Sequence, residues 1–158
     1  MSDAIQHECG LAFIRLRKSF SYYQQKYNSI LFGIHKLYLL MEKQHNRGQD
    51  GAGMATVKLH TEPGYPFMHR IRSNSSQSLA DIFSQVNTEI AELEKLQPEI
   101  RKHPGLMKGH VNMLGELMLG HLRYGTQGRN DINFCHPFLK KDIIPSRNLA
   151  LAGNFNLV

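Results

Sequence analysis

Residues 9–16 read Cys9-Gly10-Leu11-Ala12-Phe13-Ile14-Arg15-Leu16. A mostly apolar run of this length predicts a strand buried on both faces. Downstream, Ser19 offers a side-chain oxygen to cap a helix. Ile34, Leu37, Tyr38 and Met41 repeat at helical spacing until the polar, glycine-bearing stretch 46–53 interrupts them. A helix is therefore expected to deliver the chain to a loop. Ala52 to Leu59 and Phe67 to Arg72 read as the strands of a hairpin, with Pro63 and Gly64 in the turn. Leu79, Ile82, Phe83, Val86, Ile90 and Leu93 recur at three- and four-residue intervals, an amphipathic helix that Pro98 would end. Pro104, Gly105, Gly109 and Gly115 predict a loose connection, followed by strands over Glu116 to Tyr124 and Asn148 to Asn154.

Bulk properties narrow the function classes. The chain has 158 residues, 41% apolar and 20% charged, which suits one domain with a substantial core. The longest apolar stretches are interrupted by Gly, His and Lys, far short of the roughly 20 apolar residues of a membrane-spanning helix. No basic-then-apolar secretory signal opens the sequence, so a cytoplasmic protein is expected. The net charge is +6, but the 19 Lys and Arg are scattered, which argues against a nucleic-acid partner. Nine histidines form no tight ligand spacing, so no metal site is expected and the histidines read as satisfied or exposed. Cys9 and Cys135 are too few and too far apart for a disulfide framework, leaving free thiols.

Three segments combine glycines, which let backbone approach a ligand, with polar side chains able to do chemistry: Cys9-Gly10, His45 to Gly53, and Gly120 to Gly128. Asn154 completes the set. Taken singly, each has a bland reading: an apolar-flanked cysteine packs in a core, and an arginine in a glycine loop is a surface turn. Cys135-His136-Pro137-Phe138 looks like a thiol–imidazole pair, but adjacent residues seldom place both side chains on one substrate.

Together the segments resemble the class II glutamine amidotransferases, a branch of the N-terminal nucleophile (Ntn) hydrolases, in which Cys-Gly-aliphatic opens a strand and Arg-Gly-x-Asp-x-x-Gly follows. Within that branch, residues His45-Asn46-Arg47-Gly48-Gln49-Asp50-Gly51-Ala52-Gly53 are similar to the His-Arg-Gly-Gln-(Glu/Asp)-Ser-Ala-Gly signature of the amidophosphoribosyltransferase family, with Asn46 inserted and Gly51 in place of Ser. Gly120-His121-Leu122-Arg123-Tyr124-Gly125-Thr126 matches that family's Gly-His-x-Arg-Tyr-x-Thr. Gln49 and Tyr124 favour this family over glucosamine-6-phosphate synthases and asparagine synthetases. The resemblance spans nearly the whole chain. It implies an α+β fold, the Ntn four-layer α/β/β/α sandwich with mainly antiparallel sheets, here C-terminally truncated. Residues 1–8 would be a leader that is removed, and 9–158 an incomplete glutamine amidotransferase domain whose phosphoribosyltransferase partner domain lies in sequence after Val158.

The same resemblance assigns roles. Cys9 would be the nucleophile, with its own α-amino group as base, because an α-amine titrates near roughly 8 and exchanges a proton with the thiol near neutral pH. An amide-blocked nitrogen cannot do this, so the encoded chain is expected to be inactive until cleavage between Glu8 and Cys9. Asn154 and the backbone N–H of Phe155 would stabilise the oxyanion; the family usually has Gly where this chain has Phe155. Arg123 and Thr126 would hold the glutamine α-carboxylate, while Arg47 and Gly48 line the nucleophile. The aspartate for the α-ammonium would follow Val158.

The implied partners are L-glutamine here and phosphoribosyl pyrophosphate at the absent domain, in a homo-oligomeric purine-synthesis enzyme. No cofactor is implied for these residues; Mg²⁺, and an iron–sulfur cluster where there is one, would belong to the absent part. Two other readings stay open: a glutaminase serving a sugar phosphate or aspartate, and a non-catalytic glutamine-binding or oligomerisation domain.

Overall fold

The computed structural model describes residues 8–125 and 131–155. Its centre is a four-stranded antiparallel sheet in the order β1 (Gly10–Arg15), β4 (Leu117–Leu122), β2 (Ala52–Val57), β3 (Met68–Ser73). β4 lies between the first strand and the hairpin, with Gly10 opposite Leu122 and Ala52 opposite the same Leu122. That register brings the start of β1, the start of β2 and the end of β4 to one end of the sheet.

Alternation divides the sheet into two faces. Ala12, Met54, Met118 and Leu122 face the helices and are buried. Over them pack α2 (Phe32–Glu42), through Ile34, Leu37 and Met41, and α3 (Ser78–Leu96), through Leu79, Ile82, Phe83 and Val86. α2 covers β1 and β4, while α3 covers β2 and β3. α3 occupies the span expected of the amphipathic helix. Its last carbonyls are closed by the Gln97 N–H, one residue before Pro98.

Three expectations need correction. First, β1 is not buried on both faces: Leu11 and Phe13 are 48% and 59% exposed on the face away from the helices. Its free edge is instead closed by Gln44, whose Oε1 accepts from the Leu11 N–H at 3.0 Å while its Nε2 donates to the Leu11 carbonyl at 3.1 Å. Second, the helical stretch before residue 46 is two helices, α1 (Phe20–Tyr27) and α2, separated at Asn28. Asn28 takes a left-handed conformation at φ 51°, which a helix interior does not allow. Ser19 does cap α1, accepting from the Tyr22 N–H at 3.2 Å. Third, the supposed loose connection contains α4 (Pro104–His110), because proline at the first helical position starts a helix instead of breaking one.

The face away from the helices is crossed by a second, two-stranded antiparallel sheet, β5 (Phe138–Lys140) with β6 (Leu149–Leu151). The fold is thus α+β with antiparallel sheets. Arg72 and Arg70 of β3 donate to the carbonyls of Cys135 (2.9 Å) and Pro137 (3.4 Å), fastening the approach to β5 onto the large sheet. Gly53 makes the contact possible: a Cβ built there would lie 2.1 Å from the His136 carbonyl oxygen. Backbone on both sides leaves little room to relax, so Gly53→Ala should lower stability by about 2–3 kcal/mol. Gly105→Ala in α4, where an added methyl meets nothing within 4 Å, should instead be neutral or stabilising by up to about 1 kcal/mol. Urea unfolding of the two variants checks this, and equal midpoints would contradict it.

Candidate functional site

The end of the sheet where β1 begins carries most of the residues expected to act. Cys9 sits immediately before β1, half-buried, and its Sγ lies 3.4 Å from the Tyr124 N–H and 3.9 Å from the Tyr124 carbonyl oxygen. The antiparallel register causes this: with Gly10 opposite Leu122, the residue before β1 falls beside the residues that follow β4. A backbone N–H aimed at a sulfur suits one that carries negative charge during a reaction.

The 45–53 loop is laid against the same segment. After a 3-10 turn at His45–Arg47, the Asp50 N–H donates to the Arg123 carbonyl at 3.0 Å, and the Arg123 N–H donates to the Gly51 carbonyl at 2.7 Å. The Asp50 carboxylate accepts from the Gly125 N–H at 2.8 Å. Gly48 is pressed against Arg123 so closely that a Cβ would meet its carbonyl carbon at 2.6 Å. Glycine is thus required at residue 48 by close backbone approach.

Arg123 is 5% exposed, with its guanidinium 5.8 Å from the centre of the Phe134 ring. Arg47 stands at the surface and is ion-paired at 3.2 Å to Glu8, the residue directly before Cys9. An exposed pair of this kind contributes little stability. Its consequence is positional: the residue expected to line the nucleophile is engaged by the last residue of the expected leader.

Asn154 and Phe155 follow β6 of the second sheet. The Gly153 carbonyl accepts from His121 Nε2 at 3.2 Å, the Gly153 N–H donates to His136 Nδ1 at 3.3 Å, and the Phe155 ring packs 4.9 Å from that of His136. The segment is therefore pinned above β4 two residues before Arg123. The Asn154 side chain is exposed and makes no hydrogen bond within the described residues. Thr126 lies outside the described residues, as do Met1 to His7.

Four further groups lie in or against these segments. Asp50 lies within the glycine motif, and an acidic residue there was a readable signal for a partner N–H. The Tyr124 backbone contact has no sequence signal. His121 and His136 are buried, with rings 4.5 Å apart, and each bonds Gly153; among the described residues His121 Nδ1 has no hydrogen-bond partner. Burial, the neighbouring His136 and Arg123 push the His121 pKa down to about 4, partly opposed by its bond to Gly153. Burial lowers His136 as well. A signal existed: His121 alternates with Leu117 and Leu119 on the face away from the helices.

Cys135 is fully buried and its Sγ donates to the Ser73 carbonyl at 3.8 Å. Burial pushes its thiol pKa up, which opposes use as a nucleophile. Among the described residues no group of three His, Cys, Asp or Glu could hold a metal ion, and no helix is long and apolar enough to cross a membrane. The chain matches no family model, no curated protein and no solved structure.

Proposed function

We propose that the protein hydrolyses glutamine with Cys9 as nucleophile, once residue 9 carries a free amino group. The observation that carries this reading is the gathering of Cys9, the Arg47–Gly53 loop and the Arg123-Tyr124 pair at one sheet end, with Gly48 and Asp50 zipped to the backbone of residues 123–125. Segments about 75 and 115 residues from their partners along the chain converge there.

In the reaction, the Cys9 thiol passes its proton to the α-amino group and the sulfur attacks the side-chain amide carbon of glutamine. The carbon–nitrogen bond then breaks, the ammonium proton goes to the departing ammonia, and a glutamyl thioester remains. Water cleaves the thioester, releasing glutamate and restoring the thiol. Negative charge on the tetrahedral oxygen is met by the Asn154 side chain and the Phe155 N–H. Losing one such donor typically costs about 3–4 kcal/mol of barrier. Arg123 clamps the substrate carboxylate with its planar fork.

The finer reading is that this is the glutaminase part of an amidophosphoribosyltransferase in an Ntn four-layer sandwich. It would pass ammonia to phosphoribosyl pyrophosphate to give phosphoribosylamine in the first step of purine synthesis. Gln49 and Tyr124 support that acceptor, and the stacking of a helix layer on two antiparallel sheets supports that fold. We read the enzyme as cytoplasmic and homo-oligomeric. The Mg²⁺ and any iron–sulfur cluster of such an enzyme are assigned to the phosphoribosyltransferase part, and no step above passes through them.

Arg123→Lys in the Cys9-first protein tests the substrate assignment. It keeps the charge and loses the fork, so KM for glutamine should rise about tenfold to a hundredfold with kcat little changed. The measurement is glutamate release; an unchanged KM would remove Arg123 from the site.

A further inference from the structure

A cleft of about 550 Å³ opens between the β2–β3 connection and α4, at the end of the sheet away from Cys9. Lys58 directly follows β2, and Cys9 directly precedes β1. By strand register they stand roughly 20 Å apart, at about 3.3 Å per residue along β4. The volume lies within the range of small-molecule sites, roughly 300–1,000 Å³.

Lys58 lines it and is only 5% exposed. Among the described residues the Lys58 ammonium makes one hydrogen bond, a long one of 3.4 Å to the Gly109 carbonyl, and no ion pair. Two of its three donors are therefore unused in a buried place. The carboxylates in its field are both committed elsewhere: Glu116 holds Lys108 and the Leu59 N–H, and Glu89 accepts the Asn112 N–H. A buried cation without an acceptor is costly, and an anion in the cleft would relieve it.

Other cleft groups point the same way. His60 and His110 line it and their side chains make no hydrogen bond among the described residues, and His60 is held in the left-handed region at φ 54°, unusual for a non-glycine residue. Lys58, His60 and His110 approach from two different elements. The several donors they offer match the three terminal oxygens of a phosphoryl group. Beside them Tyr65, Pro66 and Leu106 also line the cleft, with Tyr65 and Leu106 well exposed, a surface for an organic body. Glu62 on the rim and the carbonyl end of α4 oppose bare anions. Lys58 takes up one of those carbonyls, and a ligand hydroxyl could donate to Glu62. His69 is tied to the Pro66 carbonyl at 3.2 Å, and no three groups here could hold a metal.

We propose that this cleft binds a small organic phosphate, with the phosphoryl group on Lys58, His60 and His110 and the organic part against Tyr65 and Leu106. The site is independent of the glutamine reading and does not overlap the Cys9 end. Calorimetric titration of the 158-residue chain with phenyl phosphate, inorganic phosphate and phenol tests it. Phenyl phosphate should bind one-to-one and about tenfold more tightly than either fragment, weakening as salt is raised.

Lys58→Met should reduce that affinity at least about tenfold without lowering thermal stability, since it replaces an unsatisfied buried cation by an apolar chain of similar length. His110→Gln, at an exposed position, should cost severalfold and decides the matter should Lys58→Met fail to fold. Absence of phenyl phosphate binding at millimolar concentration, phenol binding as tightly as phenyl phosphate, or unchanged affinity in His110→Gln would overturn the proposal.

Discussion

Removing residues 1–8 so that Cys9 becomes the first residue is expected to raise glutamine hydrolysis by roughly 10²–10⁴-fold, the span a positioned general base contributes. The peptide bond to Glu8 delocalises the nitrogen lone pair, so in the uncut chain the thiol has no base on its own residue. Cleavage has a second effect. It releases Arg47 from the 3.2 Å pair with Glu8, the residue directly before Cys9. Cys9→Ala in the cut protein should reduce activity to background, whereas Cys135→Ala should retain it because that thiol is buried against Ser73. Glutamate release followed over time checks all four proteins. Equal rates with and without residues 1–8 would refute the role of the Cys9 amino group.

Acidification should destabilise the fold through His121, by about 3 kcal/mol between pH 6.5 and pH 4. Unfolded His121 takes up its proton near 6.5, but in the folded protein burial delays this to about 4. Between those values the unfolded chain holds more protons, so lowering the pH favours unfolding. The stability is fully present above 6.5 and is lost as pH falls through this window. His136, also lowered by burial, acts with the same sign. The two rings anchor Gly153 and so the Asn154-Phe155 segment; acid should therefore loosen the second sheet from β4. Urea midpoints measured across this range should fall steeply for the native protein and more gently for His121→Leu. Parallel curves would show that the buried imidazole is not responsible.

How far the sequence foretells this structure depends on whether the information is local. The α3 face over Leu79, Ile82, Phe83, Val86 and Ile90 is written in its periodicity, and the β2–β3 hairpin in its alternation and its Pro63-Gly64 turn. Asn28 and Pro104 mislead because each acts through one special backbone position: a left-handed residue that splits a helical pattern, and a proline that starts a helix where it was read as a breaker. Leu11 and Phe13 mislead for another reason, since an apolar run shows that a strand could be buried on both faces and not that a second layer reaches it.

In the site, Cys9, Arg47, Gly48 and Arg123 were legible as motifs. Their meeting was not, because it depends on β4 inserting between β1 and β2. The pinning of Gly153 by two histidines from β4 and the approach to β5 is likewise a long-range contact with no local signature. The Lys58 cleft is of the same kind, with a buried lysine that looks in sequence like any surface cation.

On the proposed reading Cys9 attacks glutamine only when it carries a free amino group. Intact-mass and peptide mapping after exposure to an electrophilic diazoketone analogue of glutamine test it most directly. One adduct is expected, on Cys9, formed rapidly when residue 9 is first and competed by glutamine, with little reaction while Glu8 remains attached. An adduct on Cys135, or equally fast labelling of Cys9 with residues 1–8 attached, would contradict it.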